Sequence, residues 1–145
     1  MIRDFVLKSE LARAARSLEL LIKSGIPILK GIEITAPVIS NEVLRREFAR
    51  SRDDLAGGGT LAASLRKSKH FPPFILNMIS VGEESGKLDE AMEEIADFYE
   101  RETEEAVKVV TSLMEPVMIL FMGLIVGFIV IAMLLPMFEL NMIVS

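Results

Sequence analysis

The 145-residue sequence contains no cysteine, no tryptophan, one histidine and one tyrosine. Without cysteine there is no disulfide staple, no thiolate nucleophile and no Cys-ligated metal site. The lone His70 sits between Lys69 and Phe71 in a polar connector, where a surface role is expected over ligation. Sustained period-2 alternation is also missing, which excludes strands. No Walker loop, zinc-protease helix motif, dinucleotide fingerprint or nucleophile elbow occurs. Gly57-Gly58-Gly59 is followed by no Gly-Lys-Ser/Thr and reads as a linker. The acidic run Glu100, Glu102, Glu104 and Glu105 lies along a helix surface, a poor shape for a cation cage. The expectation is therefore a non-enzyme with no catalytic residue, no cofactor and no metal. The net charge of −5, with basic residues not interleaved with aromatics, argues against nucleic acid as a partner.

Charge itself is missing from one long stretch. Pro116 to Phe138 is a run of 23 residues without a single charged side chain, which accounts for the mean hydropathy of +0.43. As a helix this run is about 34 Å long, against about 30 Å of bilayer hydrocarbon. It is expected to span a membrane, and it lies at the wrong end of the chain for a signal peptide. Arg101 and Lys108 precede it, and only Glu139 follows. The positive-inside rule then places residues 1–115 in the cytoplasm and residues 139–145 as a short tail on the far side. Gly123 and Gly127 form a GxxxG pair, at which two membrane helices could approach closely, a helix of another chain or of a second copy.

Residues 1–115 read as all helical, so the fold class is all-α: a six-helix cytoplasmic bundle followed by one transmembrane helix. The first predicted helix runs from Lys8 to Lys23, with Leu11, Ala14, Ala15, Leu18, Leu21 and Ile22 inward. Gly25 ends it and Pro27 opens the second, which reaches Val38. Asn41 caps a third, Glu42 to Leu55, expected to bury Val43, Leu44, Phe48 and Leu55. Thr60 caps a short fourth, Leu61 to Arg66. Pro72 and Pro73 start the fifth, with Phe74, Ile75, Met78 and Ile79 on one side. In the sixth, Leu88, Met92, Ile95, Tyr99, Ala106, Val109 and Leu113 recur at three- and four-residue steps. That stripe points straight at the span. The sixth helix is expected to continue into it, with Pro116 as a kink or boundary, and so to couple bundle and bilayer mechanically.

Charge is segregated as well as scarce. Residues 1–70 carry 13 Lys and Arg against 8 Asp and Glu, whereas residues 83–105 carry 11 acids against Lys87 and Arg101. The basic first half and the acidic sixth helix are therefore candidate docking surfaces.

Three local patterns resemble one family. Leu11-Ala12-Arg13-Ala14-Ala15-Arg16-Ser17-Leu18 leads to Lys23-Ser24-Gly25-Ile26-Pro27. Val81-Gly82-Glu83-Glu84-Ser85-Gly86-Lys87-Leu88 is the most specific. Glu115-Pro116 opens the span, and Gly123, Gly127 and Pro136-Met137-Phe138 complete it. In this order, over nearly the whole chain, they resemble the type II secretion F-protein family and its pilus relatives, the inner-membrane platform proteins. The resemblance implies two helical cytoplasmic domains and three spans. It also implies a non-catalytic role as an oligomer in the inner membrane, and contact with a cytoplasmic assembly ATPase and with pilin or pseudopilin subunits. This sequence departs from that pattern with one domain and one span, matching the second copy, as a fragment, an excised domain or a split-gene product would. A tail-anchored scaffold or regulatory module unrelated to secretion is the alternative reading. On the resemblance, Gly82 and Gly86 shape the turn between the fifth and sixth helices, and Glu83 caps or bridges helices.

Overall fold

The computed structural model describes residues 2–145, and among these every regular element is helical. The helices are α1 (Ile2–Lys23), α2 (Ile28–Thr35), α3 (Glu42–Ala56), α4 (Leu61–Arg66), α5 (Pro73–Ser85) and α6 (Leu88–Val144), with a 3-10 turn at Ala36–Val38 after α2. The all-α class with six helices and a long apolar C-terminal helix is thus as the sequence predicts. The membrane candidate is the continuation of α6, not a seventh element. Pro116 and Pro136 both lie inside that helix, so Pro116 is not a helix boundary. Each proline leaves the carbonyl four residues earlier without its usual N–H, a loss that a membrane-type helix tolerates.

The chain divides into two compact units, Met1–Glu104 and Glu105–Ser145. In the first, Leu11, Ala14, Ala15 and Leu18 of α1 meet Ile32 of α2, Leu44 and Phe48 of α3, and Leu61 and Leu65 of α4 in one core. Ile75 and Ile79 of α5 and Met92, Ile95, Ala96 and Tyr99 of α6 complete it. Helix ends are fixed locally. The Asn41 Oδ1 accepts from the Val43 and Leu44 N–H groups, and the Thr60 Oγ1 accepts from Ala63 N–H at 3.2 Å. The helices α1, α3 and α5 turn off at Gly25, Gly58 and Gly86, each with positive φ.

The core differs from the sequence pattern in a few positions. Val43 and Phe74, expected inside, are exposed at 44% and 38%. Ile39, Phe71 and Leu76 are buried in connectors and flanks that the pattern does not mark. Ala106, Val109 and Leu113 keep the three- to four-residue step of α6 but lie in the second unit, where every described side chain is exposed. That unit holds the one stretch among the described residues that is long and apolar enough to cross a membrane.

Candidate functional site

Two groups of chemistry-bearing residues lie against α6 in the first unit: a charged seam between α1 and α6, and the junction where α5 hands over to α6.

The seam is built on Glu19. Its side chain is only 5% exposed, and it accepts from Lys23 Nζ at 2.8 Å and from the Arg16 guanidinium. Both cations also reach across to α6. Arg16 donates from Nε and Nη2 to the two oxygens of Glu100, at 3.1 and 2.9 Å, and from Nη2 to Asp97. Lys23 donates to Glu93 at 2.9 Å, and about two turns before Arg16, Lys8 donates to Glu102 at 2.7 Å. A planar guanidinium suits this, because its donors satisfy several carboxylates at fixed angles. Burial pushes the Glu19 pKa upward, but its bonds to Lys23 and Arg16 prevail and hold it below the usual glutamate range. Those to Glu100 and Asp97 hold Arg16 firmly protonated, against the cost of burial.

This seam corrects one expectation. Glu93, Asp97, Glu100 and Glu102 are consumed by Lys8, Arg16 and Lys23 of the same chain, so this face of α6 and the matching face of α1 are not free docking surfaces. Sequence reasoning noted the opposite charges but not that they meet. The residue singled out on α1, Arg13, is on the outside, 65% exposed and 3.7 Å from Glu10. The buried Glu10 carboxylate instead accepts from Ser40 N–H at 2.9 Å, pinning the segment between α2 and α3.

The junction gathers the most specific motif. The Glu83 carboxylate, from α5, accepts from the N–H groups of Leu61 (2.5 Å) and Ala62 (3.1 Å). It therefore satisfies two orphan donors at the start of α4. One residue earlier, Gly82 is where α5 and α6 touch. A Cβ there would lie 2.7 Å from Ala91 Cβ, 3.1 Å from Leu88 Cα and 3.2 Å from the Lys87 carbonyl. The Gly82 carbonyl accepts from the N–H groups of Gly86 and Lys87. Gly86, at φ +70°, reverses the chain in the left-handed region that glycine adopts without strain, and Leu88 starts α6 half-buried.

The other singled-out residues are not brought to either group. Gly25 closes α1, where its N–H bonds the Ile22 carbonyl at 3.0 Å, and Pro27 stands just before α2. Glu115, Pro116 and Pro136 lie in the exposed second unit, and nothing lies within 4 Å of a Cβ built on Gly123 or Gly127. Among the described residues no group of three or more carboxylate or histidine side chains could hold a metal.

The sequence profile of the type II secretion system (T2SS), protein F, matches residues 14–136. The type IV pilus assembly protein PilC of Thermus thermophilus is 40% identical over 133 residues, 91% of this chain and 33% of that protein. The type II secretion system protein F of Pseudomonas aeruginosa is 35% identical over 145 residues, all of this chain and 36% of that protein. Its namesake from Aeromonas hydrophila is 38% identical over 134 residues, 92% of this chain and 34% of that protein. The chain thus spans about a third of the length of the curated relatives it matches.

Each of these geometries predicts a stability that is read by the near-ultraviolet signal of Tyr99, the single tyrosine, which is buried in the core. Because the Glu19 pKa is depressed on folding, its contribution is complete above the usual glutamate value and is lost as pH falls through the folded value. Denaturant midpoints should therefore decline below about pH 4.5, and Glu19→Gln should flatten that decline. Arg16→Ala, which leaves a buried carboxylate underpaired, should cost about 3 kcal/mol, whereas Lys8→Ala at the exposed end should cost under about 1 kcal/mol. At the junction, Gly82→Ala should cost about 1–3 kcal/mol by overpacking and Glu83→Ala about 1–2 kcal/mol by uncapping α4. Wild-type stability in both would contradict the tight α5–α6 approach and the cross-helix cap.

Proposed function

The chain belongs to the type II secretion system protein F family, and on that premise we propose that it is a non-catalytic platform component of a secretion or pilus-assembly machine in the bacterial inner membrane. The observation that carries this reading is the family match itself, which takes in both the packed helices and the charge-free segment. The named relatives belong to both type II secretion and type IV pilus assembly, so the reading covers either fibre.

Residues 116–138 form the span in this reading. Residues 1–115, with Arg101 and Lys108 nearest the membrane, are cytoplasmic, and residues 139–145 lie outside. Gly123 and Gly127, open on all sides in this chain, let a neighbouring span approach its backbone. The partners are the cytoplasmic assembly ATPase, pilin or pseudopilin, other inner-membrane subunits and further copies of the platform. The work is mechanical: the nucleotide is hydrolysed elsewhere and this component relays the movement. The carboxylates of the bundle support that role, because Glu10, Glu19 and Glu83 are occupied as structural acceptors.

The test is in-cell crosslinking of the tagged full chain, followed by membrane extraction and mass spectrometry. Recovery of an assembly ATPase together with a pilin-like subunit is expected. Recovery of neither, from protein intact in the membrane, would overturn the proposal and leave a membrane scaffold unrelated to secretion.

A further inference from the structure

Two sets stand apart among the acids of α6. Glu93, Asp97, Glu100 and Glu102 turn toward α1 and are paired there. Glu90 and Glu94 turn toward α5 and line a shallow groove with it. Among the described residues Glu94 has no cation within bridging distance, and Glu90 has only the mobile-stemmed Lys87 at 3.6 Å, both more than 60% exposed.

The groove has an apolar floor and wall. Met78 and Val81 come from α5 and Ala91 from α6, Gly82 marks the line where the two helices touch, and Ser85 and Lys87 border the groove. Four residues before Met78 on α5 and four after Glu94 on α6, Phe74 and Phe98 stack with ring centroids 4.7 Å apart, tilted by 44°. Phe98 also meets the buried Tyr99 edge-on at 5.1 Å, so the pair is fixed to the core. Yet Phe98 is 44% exposed and Val81 63% exposed. Fixed aromatics beside open apolar surface are the side chains that anchor interfaces. From Phe74 to Ser85, α5 offers about 16 Å of helix, the length of three turns of a partner.

We propose that the α5–α6 groove docks a cationic amphipathic helix of a partner protein, its apolar face on Phe74, Val81 and Phe98 and its Lys or Arg residues against Glu90 and Glu94. The charge selects this occupant. Anionic headgroups would be repelled by both carboxylates, and the α6 of a second copy is itself acidic. The basic face of this chain's own α1 is already engaged in the seam. The inference rests on the reading of the chain as a docking component, and deepens it by naming a face and the chemistry of what it takes.

The test titrates a synthetic amphipathic Leu/Lys peptide of roughly three to five turns into the isotopically labelled full chain in neutral-lipid nanodiscs, followed by backbone amide shifts. Shifts confined to the faces of α5 and α6 around residues 74–98 are expected. The matching Leu/Glu peptide should give none. Glu90→Gln with Glu94→Gln, and separately Val81→Ser and Phe98→Ser, should each weaken binding by about 10-fold, while Glu104→Gln with Glu105→Gln should leave it within about 2-fold. Val81→Ser, at a largely exposed site, keeps the test valid should Phe98→Ser disturb Tyr99. Shifts outside the groove, or equal weakening by the Glu104 and Glu105 variant, would overturn the proposal. The titration is independent of the crosslinking experiment, so failure here leaves the platform reading standing.

Discussion

A single buried carboxylate, Glu19, organises the contact on which α6 depends. A lone charge at that depth would be costly, so it must be paired and hydrogen-bonded. Arg16 and Lys23 do this from one turn away on either side, and in doing so they are fixed in place. A cation held by a buried partner has already lost much of its side-chain freedom, so its second bond forms at lower entropic cost. Those second bonds go to Glu93, Asp97 and Glu100, and they flank the apolar strip Met92, Ile95, Ala96 and Tyr99 that α6 buries in the core. The seam and the strip thus fix the same stretch of helix, one by direction and the other by burial.

The same device recurs at lower charge. Glu10 takes a backbone N–H from the connector before α3, and Glu83 takes two from the start of α4. Asp54 of α3 accepts from Ser64 Oγ at 2.6 Å and Lys67 Nζ at 3.0 Å, and its pKa is lowered mainly by the Ser64 bond and then by the Lys67 bond. In each case a carboxylate ties its helix to another element or connector. Acids used in this way are acceptors with their lone pairs occupied, a different condition from a general base awaiting a substrate proton. The most specific family motif falls into place here. Gly82 permits the α5–α6 approach, Glu83 ties α5 to α4, and Gly86 turns the chain, three steps of one construction within five residues.

Much of this architecture was legible in the residues. Caps and breakers placed α4 at Leu61–Arg66 and the start of α5 at the double proline, because these signals act over one turn. The charge-free run was legible by length alone. What periodicity could not say is what covers an apolar face. Ala106, Val109 and Leu113 continue the stripe of Met92, Ile95 and Tyr99, yet only the earlier part is buried. Val43 and Phe74 sit at inward-looking spacings but at the margin of the bundle. The α1 helix begins at Ile2, ahead of Lys8, since Ile2, Phe5 and Val6 are helical without being buried. The seam was half legible: opposite charges stood out, but pairing over seventy or more residues follows only from the fold. Burial of Glu10 and Glu19 left no signal, because glutamates in amphipathic helices usually face water.

In the proposed function α6 serves two solvents: its first turns are packed among helices, and residues 116–138 carry no charged side chain. The absence of cysteine makes this directly measurable, since single cysteines can be introduced without background. Ser112→Cys, Ile125→Cys and Ser145→Cys would be challenged in intact cells with a membrane-impermeant maleimide, before and after permeabilisation. The account predicts that Ser145→Cys reacts from outside once the outer envelope is opened, that Ser112→Cys reacts only when the cytoplasmic side is exposed, and that Ile125→Cys resists throughout. Rapid labelling of Ile125→Cys by the aqueous reagent would contradict it.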